Sequence, residues 1–389
     1  MHWPQTRRTM TSIRKRSWTS PSGEMNTAWQ VDYRDQHGKR RSKQFPRKKD
    51  AEAWAVNAAS EVQRGIHTPD STSITVRHAA ASWLKTVRAN GREPTTVAAY
   101  EQHVRLHIVP RCGDKKLSQL TAPEVRSLLD SWLADLSRPM AQRVLRSFKA
   151  IITDAQERGF VAQNVALAVK LNNSRRERGR ATPPSKQELR AILDAAERSD
   201  DVQGRAIVEL AIFSGLRASE LRGLPWRSID LKKGTITVQQ RAEARGTIGP
   251  PKSDSGYRTI PVPNRVVATL RIWKLACPGH DLDLVFPSTR GKVLSHGVMA
   301  KKHIKPILVA AGVTKDKDEA AAKYTAHIFR HAAASLWIER GLNAKRVQTL
   351  VGHGSIQVTF DTYGHLFEQA ERDSQDANAI ERALFSDAT

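Results

Sequence analysis

Two short segments divide this chain into three parts and limit what it can fold into. Residues 67–73 contain a proline, an aspartate and four hydroxyl residues, and residues 174–184 contain four arginines and two prolines. Both compositions interrupt hydrophobic periodicity. A chain of 389 residues is also too long for one ordinary domain. We therefore predict folded domains at 13–66, 74–173 and 185–375, with a disordered basic N-terminus at 1–12 and a C-terminal tail at 376–389.

The first domain has the pattern of a three-stranded sheet backed by one helix. Residues 29–33 alternate apolar and polar side chains, residues 35–38 form a turn signal, and residues 39–45 form a basic strand. A helix with one apolar face is predicted from residue 49 to residue 64. The basic hairpin could enter a DNA groove through Arg40, Arg41 and Lys43. The alternative is a hairpin whose charges are simply solvated.

The second domain is predicted to be a bundle of four or five helices, since apolar residues recur at helical spacing throughout. Thr121 and Glu124 form a capping box ahead of one of these helices. We find no catalytic constellation in this part. The linker that follows carries Arg175, Arg176 and Arg178. These could cross a phosphate backbone or could equally be a solvated run of charge.

The third domain is predicted to be mixed, with helices and a small antiparallel sheet. Another capping box at Ser185 and Glu188 begins a helix, and residues 234–240 and 257–262 resemble strands. The loop between those strands carries Lys252. From about residue 298 to residue 385 we predict helix. The predicted fold class is therefore multidomain and mainly α, with small antiparallel β-sheets.

The composition indicates the kind of partner. The formal net charge is +24, from 63 basic and 39 acidic residues, and this favours a polyanion, either nucleic acid or an anionic membrane. The sequence has no apolar run near the roughly 18 residues that a spanning helix needs. Residues 1–10 lack the apolar region of a secretory signal, and the two cysteines lack metal-site spacing. We expect an intracellular protein that binds nucleic acid and no membrane.

Two arginines in apolar surroundings suggest an anion site. Burying an unpaired charge is costly, so Arg217 and Arg330 must each have a partner or await an anion. Glu220, three residues after Arg217, could be a simple ion-pair partner. Two such arginines in one domain favour a bidentate phosphate clamp. His327 and His331 have zinc-like spacing, but no glutamate, cysteine or carboxylate completes a ligand set, so we predict no metal.

Five motifs occur in a fixed order in the third domain. They are Gly215-Leu216-Arg217-x-x-Glu220-Leu221, Lys252-Ser253-x-Ser255-Gly256-x-Arg258-x-x-Pro261-Val262, His327-x-x-Arg330-His331, Leu350-x-Gly352-His353 and Tyr363-Gly364-His365. Together they resemble the tyrosine recombinases, specifically the phage-type integrases. Ile328 and Phe329 stand where that family commonly has Asp and Leu. The two upstream domains are similar to the family's arm-type DNA-binding and helical core-binding domains.

The resemblance implies a reaction and a role for each residue. Tyr363 would attack a DNA phosphodiester and leave a 3′-phosphotyrosyl link. Arg217 and Arg330 would stabilise the transition state, and Lys252 would protonate the leaving 5′-oxygen. The remaining members would assist. These are His327 at the tyrosine, His353 on the phosphate, Glu220 orienting the clamp and His331 in a supporting role. No cofactor, metal ion or ATP would be needed.

The resemblance also implies partners. The chain would act as a homotetramer on core and arm attachment sites in double-stranded DNA, with a host DNA-bending factor and an excisionase as further candidates. It would work in the bacterial cytoplasm at the nucleoid, integrating or excising a phage or mobile element. The C-terminal tail would dock on a neighbour or, alternatively, on its own domain. A catalytically inactive DNA-organising protein of the same fold is the competing interpretation, and a relaxing topoisomerase would use the same chemistry.

Overall fold

The computed structural model describes residues 11–171, 183–315 and 318–367. The chain forms two compact units, residues 1–174 and 175–389, so their boundary falls inside the arginine-rich segment 174–184. Arg175, Arg176 and Arg178 lie outside the described residues, as does the tail at 376–389. The predicted fold class, mainly helical with small antiparallel sheets, is confirmed.

The first unit begins with the predicted sheet and helix. The elements are β1 (Ser12–Thr19), β2 (Met25–Arg34), β3 (Arg40–Phe45) and α1 (Lys48–Gln63). The strands pair antiparallel in the order β1-β2-β3, and Val31 lies opposite both Ile13 and Lys43. Val31 is buried against Ala51 and Ala55 of α1. Strand β1 begins at Ser12, inside the segment that we had predicted to be disordered.

The segment 67–73, predicted as a linker, is packed rather than free. Lys43 Nζ lies 2.7 Å from a carboxylate oxygen of Asp70, and Ser118 Oγ donates to the same side chain at 2.6 Å. The His67 ring is buried, with one nitrogen 2.9 Å from the hydroxyl of Tyr33 and the other 2.9 Å from Glu61. The polar residues that indicated a linker form hydrogen bonds to the sheet and to the bundle.

The rest of the first unit is a helical bundle. Its helices are α2 (Val76–Ala89), α3 (Pro94–Gln102), α4 (Val109–Cys112), α5 (Ala122–Asp135) and α6 (Arg138–Glu157). A π-helical stretch, His103–Ile108, joins α3 to α4 just before Pro110, which has no N–H to donate. The predicted capping box at Thr121 and Glu124 is present. Trp132 and Phe148 are fully buried at the centre of the bundle.

The second unit is a larger helical body with three small sheets. Its helices are α7 (Lys186–Glu197), α8 (Val202–Ser214), α9 (Ala218–Arg222), α10 (Asn264–Ala276), α11 (His296–Val298), α12 (Lys305–Ala310), α13 (Ile328–Glu339), α14 (Ala344–Val351) and α15 (Ile356–Phe367). Its strands are β4 (Ile229–Asp230), β5 (Thr235–Val238), β6 (Arg241–Ala242), β7 (Ile248–Gly249), β8 (Arg258–Pro261), β9 (Thr314–Lys315) and β10 (Asp318–Ala322). The sheets are β4-β5-β8, β6-β7 and β9-β10, all antiparallel. Helix α8 is buried along most of its length and packs against α10 and α13.

The prediction of helix from about residue 298 to residue 385 was wrong for residues 314–315 and 318–322. Strands β9 and β10 form an antiparallel pair between α12 and α13. Gly312 adopts a left-handed conformation, with φ of +67°, directly after α12. That conformation ends a helix and turns the chain into the strand pair.

Across the described residues, no helix is both long and apolar enough to cross a membrane.

Candidate active site

The site is built where the end of α8 meets the start of α13. Helix α8 ends at Gly215, whose left-handed φ of +60° turns the chain so that Arg217 precedes α9. Arg330 lies on the first turn of α13, and its Nη1 donates to the carbonyl oxygen of Gly215 at 2.9 Å. Two arginines separated by more than one hundred residues are thereby brought to one place.

Glu220 holds the arginine cluster together from its centre. Arg217 donates to this carboxylate through Nη1 at 2.7 Å and through its backbone N–H at 2.9 Å. Arg258 forms a two-point contact with Glu220, through Nη2 at 2.8 Å and Nη1 at 3.1 Å. Burial alone would raise the pKa of Glu220, but the hydrogen bonds and charge of Arg258 hold that pKa below its usual range. Glu220 is therefore a carboxylate at neutral pH.

Arg258 was part of a sequence motif to which we had assigned no role. Its side chain is buried, and Nε donates to the carbonyl oxygen of Leu350 at 2.7 Å. It lies on β8 two residues from the fully buried Ile260. Because alternate strand residues face the same side, this parity could have identified Arg258 as an inward arginine that needs a carboxylate.

Arg330 is buried and incompletely hydrogen-bonded. Only 3% of the residue is exposed, and its Nη2 has no hydrogen-bond partner among the described residues. Burial, followed by repulsion from Arg217, lowers the pKa of Arg330 to about 9, so the group stays charged at neutral pH. A buried cation with a free donor is costly unless an anion binds to it. This donor marks the place for an anionic ligand.

Gly352 brings the end of α14 against the arginines. Its carbonyl oxygen accepts a hydrogen bond from Arg217 Nη2 at 2.6 Å, and its φ is +68°. A Cβ at this position would lie 2.8 Å from the Ser255 carbonyl oxygen and 2.9 Å from Arg258 Nη1. Both the left-handed backbone and this close approach require glycine. The glycine also sets the position of His353, the next residue.

His353 is held beside the tyrosine helix in its neutral form. Its Nδ1 lies 3.0 Å from the Thr359 hydroxyl of α15, and its ring is nearly parallel to that of Tyr363 at 6.5 Å between centroids. Burial, together with the charges of Arg330 and Arg217, lowers the pKa of His353 to about 4. Thr359 is fully buried and had not been singled out in the sequence.

Tyr363 is buried on α15, with 3% of the residue exposed. Its hydroxyl lies 2.9 Å from Nδ1 of His331. Burial raises the pKa of Tyr363 to about 12, and the charge of Arg330 opposes that rise. The sequence had placed His327 at the tyrosine and His331 in support. The structure brings His331 to the hydroxyl instead, because α13 presents residue 331 one turn beyond residue 327.

The two remaining predicted residues, His327 and Lys252, are both exposed. His327 is exposed at the N-terminus of α13, with its ring 5.0 Å from that of His331. Lys252 is exposed on the loop between β7 and β8, a few residues before Arg258. Within the described ranges, no three His, Cys, Asp or Glu side chains gather in a way that could hold a metal ion.

Two of the three residues predicted to contact DNA from β3, Arg41 and Lys43, form contacts within the protein. Arg41 Nε lies 2.8 Å from the buried Asp35 carboxylate, and Lys43 pairs with Asp70 and lies over the Trp54 ring. Both side chains share the helix-facing side of the sheet with Phe45, so they are engaged within the protein. Arg40 is exposed on the opposite face.

That opposite face carries cations which the sequence analysis had passed over. Arg14, Arg16 and Arg34 are exposed there together with Arg40, as the strand register requires. Arg14, Arg34 and Arg40 of this surface line a cavity of about 650 Å³, and Arg41 reaches the wall of the same cavity at the end of the sheet. We call Arg14, Arg16, Arg34 and Arg40 the outer sheet face.

Comparisons with known proteins agree with this geometry. Residues 185–370 match the sequence model of the phage integrase family, and residues 75–133 match that of the phage integrase N-terminal SAM-like domain. A tyrosine recombinase XerC-like protein of Caldanaerobacter subterraneus subsp. tengcongensis is 26% identical over 380 residues, which cover 90% of this chain and 93% of the relative. Tyrosine recombinase XerC of Xylella fastidiosa is 30% identical over 241 residues, which cover 59% of this chain and 71% of the relative.

A solved structure has the same fold. It is a lambda integrase tetramer bound to a Holliday junction, with a TM-score of 0.58 and 22% identity, covering 87% of this chain and 95% of that chain. Similarity at this level of identity describes the architecture and leaves the roles of individual residues to the geometry above.

Proposed function

The chain belongs to the phage integrase family of tyrosine recombinases, and we propose from its geometry how it carries out site-specific DNA recombination. Tyr363 attacks one DNA phosphodiester, forming a 3′-phosphotyrosyl link and releasing a 5′-hydroxyl. The observation that carries this proposal is the free Nη2 of Arg330, buried beside Arg217 and close enough to Tyr363 for its charge to act on the phenol.

The two arginines suit the charge that develops at phosphorus. Arg330 is rigid, because its Nη1 is bound to the Gly215 carbonyl, and Arg217 is held by Glu220 and Gly352. Guanidiniums fixed before the reaction stabilise a pentacoordinate phosphorane without having to reorganise. Arg330 Nη2 can donate to one non-bridging phosphate oxygen, and the neighbouring Arg217 adds its positive charge. Glu220 orients this clamp.

The other residues move protons or support the phosphate. Lys252 protonates the leaving 5′-oxygen, because an ammonium on an exposed loop can reach that atom. His353 lies beside the arginines and would hydrogen-bond a non-bridging oxygen. His327, at the N-terminus of α13, lines the same cluster and assists proton transfer. The clamp supplies the charge that a metal would otherwise give, and the covalent link conserves the phosphodiester energy for rejoining without ATP.

The first unit binds DNA away from the cleaved bond. We assign arm-site binding to residues 13–66, through the outer sheet face, and core-site binding to residues 74–173. The outer sheet face has the shape and charge of a surface that enters a groove and contacts phosphates. Segment 174–184, with Arg175, Arg176 and Arg178, would lie along the DNA between these domains and the catalytic domain at 185–375.

The protein acts on DNA as an oligomer, and we propose a homotetramer that pairs two attachment sites. A host DNA-bending factor and an excisionase would set the direction of the reaction. The element integrated or excised would be a phage or another mobile element, in the bacterial cytoplasm at the nucleoid. The tail at 376–389 would dock on a neighbouring subunit.

A nicked duplex tests this function against the inactive alternative. Duplexes that tile the DNA flanking the gene are nicked so that the short 5′-hydroxyl fragment diffuses away after cleavage. We expect a denaturant-resistant protein–DNA adduct with wild type and none with Tyr363→Phe. Arg217→Gln and Arg330→Gln should bind the same duplex without cutting it. An adduct with Tyr363→Phe would mean another nucleophile, and no adduct with wild type on any duplex would favour a DNA-organising protein.

A further inference from the structure

The hydroxyl of Tyr363 and Nδ1 of His331 form a direct hydrogen bond of 2.9 Å. We infer that His331, which the sequence motifs placed only in support, is the base that takes the proton of Tyr363 as it attacks the phosphate. This inference rests on the proposed function and adds the proton acceptor to it.

The geometry separates His331 from the other two histidines of the cluster. His327 is exposed, and its ring contacts that of His331 edge-on at 5.0 Å. His353 stacks parallel to the phenol ring, and its Nδ1 is engaged by the Thr359 hydroxyl. Among the described residues, His331 is the one whose nitrogen lies within hydrogen-bond distance of the nucleophilic oxygen.

His331 is positioned to stay neutral and so to accept a proton. Burial, then the neighbouring His327 and Arg330, lower the pKa of His331. The ionisable groups around it come from α13, from the turn after α14, from α15, and from the wall of a cavity that His331 lines. They are His327, Arg330, His353, Tyr363, Glu188, Lys323 and Tyr324. With Nδ1 as the acceptor, the neutral ring carries its hydrogen on Nε2.

Each proton that one group releases in this step is taken up by another group. As the phenolic oxygen of Tyr363 bonds to phosphorus, its proton moves to Nδ1 of His331. The bond from phosphorus to the 5′-oxygen breaks, and that oxygen takes a proton from Lys252. In ligation each proton returns. The resulting imidazolium lies beside Arg330 and His327, which favours giving the proton back.

The same contact is expected to keep the phenol protonated until its bond to phosphorus forms. Burial raises the pKa of Tyr363 to about 12 and lowers that of His331, so transfer is unfavourable before a phosphate arrives. Transfer becomes favourable only together with formation of the bond to phosphorus. A phosphate already held by Arg217 and Arg330 is therefore needed for activation.

A substrate with a sulfur leaving group tests the assignment in the full-length protein. One nicked duplex carries the normal 5′-bridging oxygen at the cleaved bond, and its partner carries sulfur, which leaves as a thiolate without being protonated. On the oxygen substrate, His331→Ala should cleave about 100-fold more slowly than wild type, or slower still, because it lacks the general base. Sulfur should restore cleavage by Lys252→Ala but leave His331→Ala slow. Raising the pH should speed His331→Ala, since hydroxide then deprotonates the phenol.

Two further variants separate a base from a residue that merely positions the phenol. Glutamine can accept a hydrogen bond but cannot take the proton, so His331→Gln should remain as slow as His331→Ala. His296→Ala, at an exposed histidine of α11, should cleave at the wild-type rate. Full activity of His331→Gln, or rescue of His331→Ala by sulfur, would overturn the inference. If wild type itself forms no adduct, the proposed function fails and this inference fails with it.

Discussion

At the scale of single residues, the site depends on how buried charges are paired. Arg217, Arg258 and Arg330 surround one carboxylate, Glu220, and the three basic groups therefore carry more charge than the protein neutralises. Arg258 uses its guanidinium entirely within the protein, whereas Arg330 keeps one donor free. We therefore propose that Arg258 maintains the clamp and that Arg330 binds the phosphate.

Replacing Arg258 should lower both stability and cleavage. Removing one partner of a buried ion pair costs about 3–5 kcal/mol, so Arg258→Met should lower the free energy of unfolding by that order. Glu220 would then be unpaired, and the orientation of Arg217 would be lost with it. Arg258→Lys keeps the charge but not the two-point contact, so it should fold better and still cut slowly. Denaturant unfolding and single-turnover cleavage per folded molecule measure these effects.

Arg222 provides the matched control for this prediction. It is also buried, and its Nε and Nη2 donate to the carbonyl oxygens of Leu294 and Glu243 rather than to a carboxylate of the site. Arg222→Met should lose stability and retain the cleavage rate of the folded fraction. Equal slowing by Arg222→Met would mean that Arg258 affects cleavage only through general stability.

At the scale of elements, periodicity predicted most strands and helices, β9 and β10 excepted, but not what each face contacts. The sheet, the bundle and the two capping boxes could be predicted because local patterns determine them. The pairing of Lys43 with Asp70 could not, since it depends on how a distant segment folds back. The same holds for His331, whose contact with Tyr363 spans 32 residues. Chemical type was therefore predictable from the sequence, whereas partner identity required the fold.

The two faces of β3 should differ in their effect on DNA binding. Arg40→Gln removes a cation from the outer sheet face, so binding should weaken and the salt dependence of log K should fall by about 1. Arg41→Gln removes the partner of Asp35 on the helix side, so it should lower thermal stability and leave the salt dependence unchanged. Anisotropy titrations of each variant with one duplex from an end of the mobile DNA element, over a range of salt concentrations, measure the affinity and its salt dependence. If Arg41→Gln lowered the salt dependence and Arg40→Gln did not, the assignment of the two faces would be reversed.

At the scale of the whole molecule, positive charge has two proposed uses, which are general DNA binding and catalysis. The net charge of +24 favours association with any DNA, while cleavage depends on two guanidiniums in one site. Composition alone could predict the first property. The second required the fold to bring Arg217 and Arg330 together, and it is the reason why we expect the chemistry to need no added cation.

The complete reaction should therefore proceed without divalent metal or ATP. The full-length protein is tested in EDTA, without ATP, and with spermidine to neutralise the DNA phosphates. It should form the adduct at the rate seen with Mg²⁺. Adding back the 5′-hydroxyl strand should then rejoin the DNA, because the phosphotyrosyl bond retains the energy of the bond that was cut. Arg330→Lys should remain slow even when Mg²⁺ is supplied, since a point charge cannot replace a fixed guanidinium. Cleavage that stops in EDTA and returns only with Mg²⁺ would show that the arginine clamp does not supply the necessary charge.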